Sequence, residues 1–409
     1  MIAAARAAGC AVIVCGADAT DNAHAYLAAG AHYVLLGEGE ATLIELLDWL
    51  ESSSGFRRQD SGVRSAAAPL HIAGLAFLQD GQLVQTGRRP DLKDLDALPL
   101  PAWDLIDMAH YRALWRERHG YFALNVATTR GCPYHCNWCA KPIWGQRYNV
   151  RSPANVVAEL KMLYTHYAPD EISFVDDILG IKPGWLRSFA DLLAAEGLRI
   201  SFKCLNRADL LLRPGIVEAL RDAGCRIVWI GAESGSQAVL DAMEKGTTVE
   251  QIYTATQRLH QAGIAVGFFL QFGYPGETRS DIEHTLQMVR DCKPDDIGMS
   301  VSYPLPGTPF HERVRDQLGV TRNWQDSDDL AMLYCGPFST AFYRQLHTVL
   351  HKEFRSSRPG RWQRQLYHRL TLPLARRRLN ALARSDSVNQ LSLSPALTLE
   401  EAARPTPQE

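Results

Sequence analysis

The chain has 409 residues, 46% of them hydrophobic and 22% charged, with a formal net charge of −2. That length suits two or three domains or one large barrel with additions, and the near-neutral balance gives no argument for nucleic acid as a partner. Nine cysteines in so long a chain do not make a secreted disulfide scaffold; with no apolar run of about 18 residues and no signal peptide at the start, the expectation is a cytoplasmic protein.

Residues 11–15 form a short apolar strand pattern, followed by the turn Gly16-Ala17-Asp18-Ala19-Thr20. A helix over 22–29 stops at Gly30, a strand over 33–36 ends in Gly37-Glu38-Gly39-Glu40, and a helix covers 41–51. This βαβα order over 1–52 predicts a piece of parallel, Rossmann-like sheet. A parallel sheet needs both faces covered, which two strands and three helices do not achieve, so the domain looks truncated. Residues 53–115 read as linker and connector. The first part is rich in Ser, Arg and Ala without periodicity, Asp80-Gly81 joins 74–79 to 82–86 as a hairpin, and a proline-punctuated stretch follows.

Over 116–320 strands and helices alternate. Strands are predicted over 124–129, 171–175, 199–204, 226–230, 264–271 and 297–302, each followed by one or two helical segments. Ser152 and Pro153 mark a helix start. Six βα repeats predict an α/β fold, a partial TIM-like (β/α)6 barrel with its functional groups at the strand C-terminal ends. Residues 321–384 read as a helical basic region. Within 341–384 eleven Arg or Lys stand against one Glu, interleaved with Trp362, Leu366, Tyr367, Leu370, Leu372 and Leu374. A solvated basic cap is one reading, and peripheral contact with an anionic membrane is the other. Residues 385–409 are expected to be a disordered tail.

Between the first predicted strand and its helix stands Arg130-Gly131-Cys132-Pro133-Tyr134-His135-Cys136-Asn137-Trp138-Cys139, with the spacing C-x3-C-x2-C. Three thiolates on one loop can hold three irons of a [4Fe–4S] cluster and leave the fourth open to chemistry, whereas most clusters are closed by four. A zinc site with His135 as fourth ligand is an alternative. Buried core thiols on one helical face are another, and Gly131 and Pro133 argue against the helix they require.

With Trp138 before the last cysteine, this segment resembles the radical S-adenosylmethionine (SAM) superfamily. The resemblance implies that Cys132, Cys136 and Cys139 hold a [4Fe–4S] cluster and that the strand ends hold SAM. It places the SAM amino group near Phe174, Asp176 and Asp177, and the ribose at Glu233 and Ser234. Adenine falls at the turn Gln271-Phe272-Gly273-Tyr274-Pro275. Arg207 would pair with the SAM carboxylate, or structurally with Asp209 or Asp176. Residues 1–52, with Gly-Glu-Gly-Glu, resemble the last part of cobalamin-binding domains. The run Cys-Asn-Trp-Cys-Ala-Lys-Pro-Ile-Trp-Gly is similar to the group containing anaerobic magnesium-protoporphyrin monomethyl ester cyclase and radical methyltransferases. Such a protein would cleave SAM reductively to start methylation or cyclisation of a small-molecule substrate. It would take electrons from a flavodoxin or ferredoxin, and cobalamin as well if the N-terminal part keeps its site. A radical SAM oxidoreductase without cobalamin, and a cluster- or zinc-bearing protein without turnover, are the alternatives.

Overall fold

A computed structural model describes residues 1–52, 68–141, 143–318, 330–358 and 362–390. The predicted linker lies mostly outside them. The chain divides into two units, one of Met1–Leu95, Arg130–Pro133 and Ala140–Asn149, the other of Asp96–Thr129, Tyr134–Cys139 and Val150–Glu409.

The first unit holds a four-stranded sheet of Ile13–Val14, Tyr33–Leu35, Leu75–Gln79 and Gln82–Gln85, in that order. The first two strands are parallel, as the βαβ order predicts. The hairpin, expected to be part of a connector, instead continues this sheet. Leu75–Gln79 pairs antiparallel with Tyr33–Leu35, with Val34 opposite Ala76. The reason is apolar area: Tyr33, Leu35, Leu46 and Leu50 are buried against Ile72, Leu75 and Phe77. Asp80 and Gly81 both take positive φ, 50° and 78°, the two-residue turn that an Asp-Gly pair favours.

The second unit is built on six parallel strands. They run Ala123–Val126, Glu171–Phe174, Phe202–Asn206, Cys225–Glu233, Ala265–Phe272 and Asp296–Val301, each hydrogen-bonded to its neighbour in sequence. The sheet curls into the half-barrel that the sequence predicts. Ser152 caps the first helix, its Oγ accepting from Asn155 N at 3.1 Å, and Thr248 and Thr278 each open a helix with a capping box. Val228, Ile230, Phe268 and Leu270 pack with Ile252, Ala255 and Leu259 of the outer helix layer. Strand alternation therefore turns Trp229, Gly231, Phe269 and Gln271 to the concave face; the register shifts between Gly231 and Glu233. The fourth strand runs three residues past its predicted end, so Glu233 closes a strand rather than opening a loop.

Two helices, Thr340–Ser357 and Trp362–Gln390, end the described chain. The tail expected to be disordered from 385 is helical through Gln390; 391–409 lie outside the described residues. Ala375 and Leu379 bury with Leu346, Val349 and Leu350, and Asp386 accepts from Ser339 N at 2.9 Å, which holds the helix past the predicted boundary. Its outer face exposes Trp362, Leu366, Tyr367, Leu370 and Leu374. No described helix is long and apolar enough to cross a membrane.

Candidate functional site

The cysteine loop leaves the first barrel strand over a pair of threonines. Both oxygens of buried Asp176 accept from them: Thr128 N at 2.7 Å, Thr128 Oγ1 at 2.8 Å, Thr129 N at 2.7 Å and Thr129 Oγ1 at 3.0 Å. Burial pushes the Asp176 carboxyl up to about 6 against the pull of those four donors. Asp176, expected near the SAM ammonium, is thus spent on fixing the start of the loop. Its neighbour Asp177 is exposed at the strand end. Gly131 has φ +79°, and a Cβ there would stand 2.3 Å from Arg147 O, so no other residue fits.

Asn137 pins the middle of the loop. Its Nδ2 donates to Ala242 O at 2.8 Å, its N to Met243 O at 3.1 Å, and its Oδ1 accepts from Tyr274 OH at 2.9 Å. The predicted adenine turn and the cysteine loop are therefore locked together through Tyr274, which is fully buried. Tyr334 OH donates to Gly273 O from the C-terminal segment.

Within the first unit, Glu38 of Gly37-Glu38-Gly39-Glu40 grips both flanks of the loop. Its Oε1 accepts from Arg130 Nη1 at 2.7 Å and Trp144 Nε1 at 3.1 Å, and its Oε2 accepts from Leu92 N at 2.6 Å. Arg130 also pairs with Glu40. Glu38→Ala leaves these half-buried donors without their acceptor. The expected cost is about 2–3 kcal/mol, read by thermal unfolding, with less iron retained after reconstitution. Wild-type melting and iron content together would show that Glu38 does not support the loop.

Two buried cations stand on the thiol side. Arg207 Nη1 lies 3.9 Å from Cys136 Sγ, and its guanidinium sits 3.7 Å from the centre of the Tyr134 ring. Arg207 Nε donates to Asp209 at 2.9 Å and Nη2 to Lys245 O at 2.8 Å. Of the pairings the sequence leaves open for Arg207, the structure shows the one with Asp209. Lys245 Nζ bonds Glu233 Oε1 at 2.7 Å, both residues buried. Burial pulls the Lys245 ammonium down, but the charges of Glu233 and Cys136 outweigh it and the net shift is upward. Glu233 closes its strand at φ +55°, an uncommon conformation for a non-glycine residue and one that recurs at functional sites. A Cβ on Gly231 would stand 2.7 Å from Lys245 Nζ and 2.8 Å from Glu233 Oε1, so this glycine makes room for the pair.

The donor set fits a cluster. Three soft thiols share one loop, Cys132 buried and Cys136 and Cys139 half-buried, and two cations favour the anionic charge a thiolate-held cluster carries. Among the described residues Trp138 Nε1 and Thr247 Oγ1 are buried without a hydrogen-bond partner, as groups awaiting a ligand are.

The other predicted residues are placed by packing and hydrogen bonds. Phe174 packs edge-on to Phe189 and Phe202 in the core. Ser234 Oγ lies 3.2 Å from Thr285 Oγ1 and accepts from Ser236 N at 3.1 Å. Gln271 is on the concave face with Nε2 donating to Ser302 Oγ at 3.0 Å, and Pro275 is buried in the turn. Sequence reasoning passed over Asn137, Lys245 and Glu277. Glu277 Oε2 accepts from Gly273 N at 2.6 Å, and its Oε1 is buried without a partner among the described residues. Burial pushes this carboxyl from 4.5 up to about 8. The unfolded chain loses that proton near 4.5 and the fold keeps it to about 8. Stability should then fall by ~1.4 kcal/mol per pH unit as pH rises between those values. Glu277→Gln should remove this slope in a series of melting curves. A parallel decline in both proteins would show that Glu277 is ionised throughout.

Residues 126–289 match the radical SAM superfamily. The chain is 30% identical over 295 residues to an uncharacterized methyltransferase of Pyrococcus horikoshii, covering 71% of this chain and 60% of that one. It is 28% identical over 290 residues to the anaerobic magnesium-protoporphyrin IX monomethyl ester cyclase of Cereibacter sphaeroides, covering 70% and 45%. The chain therefore spans about half of these relatives' length. Among solved structures, the cobalamin-dependent SAM radical enzyme OxsB superposes with a TM-score of 0.65 at 16% identity, covering 98% of this chain and 66% of that one. The radical SAM methyltransferase TsrM of Kitasatospora setae superposes with a TM-score of 0.61 at 20% identity, covering 77% and 60%. At such identities the structures speak for the fold.

Proposed function

The chain carries a radical SAM domain, and from that premise we propose that it is an enzyme that reductively cleaves SAM at a [4Fe–4S] cluster held by Cys132, Cys136 and Cys139. Cleavage would open the methylation or cyclisation of a small molecule. The observation that carries the proposal is the buried group Arg207, Lys245 and Glu233 beside Cys136, at the C-terminal ends of the barrel strands. When bound, the cluster and SAM supply the electron transfer and the radical that takes a substrate hydrogen. The chain's own part is to hold and shield. Arg207 donates to the Cys136 sulfur and fixes Tyr134 beneath it. Glu233, steadied by Lys245, presents a carboxylate to the ribose hydroxyls. The Gly273-Tyr274-Pro275 turn, tied to the loop through Asn137, receives adenine. Asp177 faces the ammonium, and Trp138 offers its free indole N–H. A small reductant such as flavodoxin or ferredoxin would deliver the electron, and the thiols call for a reducing compartment. The test is anaerobic reconstitution with iron and sulfide, reduction with dithionite, and measurement of 5′-deoxyadenosine and methionine. A fully loaded cluster without either product would sink the proposal.

A second reading adds cobalamin and methyl transfer. It is favoured by the likeness to OxsB and TsrM and by the methyltransferase relatives. The described first unit supplies two parallel strand ends, and its Glu38 and Glu40 are already engaged by Arg130. These residues alone do not build a corrin pocket. Adding hydroxocobalamin during reconstitution and desalting separates the readings. A stoichiometric corrin band supports methyl transfer, and its absence leaves SAM-only chemistry.

A further inference from the structure

Alternation sends Val228, Ile230, Phe268 and Leu270 into the core under the helices and leaves Trp229 and Phe269 on the concave face. There the two rings stack, with centroids 4.6 Å apart and planes at 26°. Trp229 lies flat over the neighbouring strand: a Cβ on Gly267 would stand 2.4 Å from its ring, and one on Gly298 would stand 3.3 Å from Phe269. Closed barrels fill this space with layers of branched side chains. Here the neighbouring positions are glycines. Phe269 keeps 39% exposure and is the one exposed large hydrophobic among the residues of the six strands. The pair is continuous with the rim of the site. Gln271 follows Phe269 by two positions, and Gly231 follows Trp229 by two, where a Cβ would stand 2.7 Å from Lys245 Nζ and 2.8 Å from Glu233 Oε1. Asp296, paired in register with Gly267, and Ser300, paired with Gln271, give the floor one polar edge.

We propose that Phe269, backed by the Trp229 ring stacked on it, forms the floor of the substrate site, and that the substrate is a planar, largely apolar ring system laid on the open face of Phe269 beneath the Glu233–Gln271 rim. The inference rests on the radical SAM reading for the position of the reacting rim. A flat aromatic floor favours a flat ligand through offset stacking, in which both ring faces are desolvated and the quadrupoles align. A flexible chain loses more conformational freedom on the same surface. Glycines at 267 and 298 are required because any side chain there would lift the rings from the sheet or fill the space above them.

The test titrates the reconstituted full chain anaerobically with protoporphyrin IX and with indole as planar probes, and with decanoate as a flexible apolar control. At least one planar probe should bind with a Kd below about 100 µM, and decanoate should not displace it. Phe269→Ala should weaken that probe about tenfold or more. Phe269→Leu keeps apolar area without the flat face and should weaken it nearly as much. Melting curves confirm that both variants are folded, as expected for a partly exposed position. The proposal is overturned if neither planar probe binds, if decanoate competes equally, or if leucine restores wild-type affinity. Probe binding is read without turnover. A wild-type chain that binds the probe but never cleaves SAM would therefore sink the catalytic reading and leave the floor standing.

Discussion

Cys136→Ala is expected to abolish reductive SAM cleavage, a loss of at least about 1,000-fold. The same variant should retain less iron and lose the broad visible absorption of a reconstituted cluster. The effect is large because the residue is one of three soft donors on one loop, and two thiolates hold a cluster less firmly than three. It is also specific. Cys136 is the cysteine whose sulfur lies beside Arg207, so its removal leaves a buried guanidinium facing a methyl group as well as an iron without a ligand. Cys335 is exposed and far along the chain, and Cys335→Ala should retain wild-type iron and cleavage. If Cys136→Ala still formed 5′-deoxyadenosine at the wild-type rate, the cysteine assignment would be wrong. If Cys335→Ala lost it, the loop would not be the sole determinant.

The barrel was legible because its strands and helices switch period cleanly. Alternation of apolar residues with turn signals and the helix start at Ser152-Pro153 reflects local physics that a sequence displays. The cysteine motif stands out for a similar reason, since its three thiols are neighbours in the chain. The supports of that motif do not. Asn137 reads as an ordinary loop residue until the chain brings Ala242 and Tyr274 to its amide. Lys245 sits in Glu244-Lys245-Gly246, where a lysine is normally solvated, and nothing local announces a partner twelve residues earlier. Asp176, too, has partners that its local sequence does not display. Two adjacent carboxylates at a strand end suggested a ligand for an ammonium, but Thr128 and Thr129, 48 and 47 residues away, take up both oxygens of the first. Burial and pairing across the sheet decide between a ligand and a strut, and neither is a local property. The same holds for the first unit. The Gly-Glu-Gly-Glu turn resembled the edge of a cofactor domain, and the structure gives Glu38 work at Arg130 and Trp144.

Lys245→Met should be the most damaging substitution outside the cysteines, costing about 3–5 kcal/mol and lowering the melting temperature by roughly 10 °C. Methionine fills much of the lysine's volume, so packing is largely kept. The damage comes from Glu233, whose carboxylate stays buried at a strand end with its ammonium gone. Adding Glu233→Gln removes that stranded charge. The double variant should regain more than half of the lost stability, because eliminating both members of a buried pair costs far less than eliminating one. SAM binding separates this structural effect from a functional one. If Glu233 presents its carboxylate to the ribose and Lys245 orients it, calorimetric SAM affinity of the reconstituted protein should fall about tenfold or more in the single variant. It should stay low in the double variant despite the recovered stability, since an amide is a poorer acceptor for two hydroxyls than a carboxylate. Recovery of affinity together with stability would mean that the pair is only a strut of the fourth strand. Ribose recognition would then have to be sought elsewhere on the concave face.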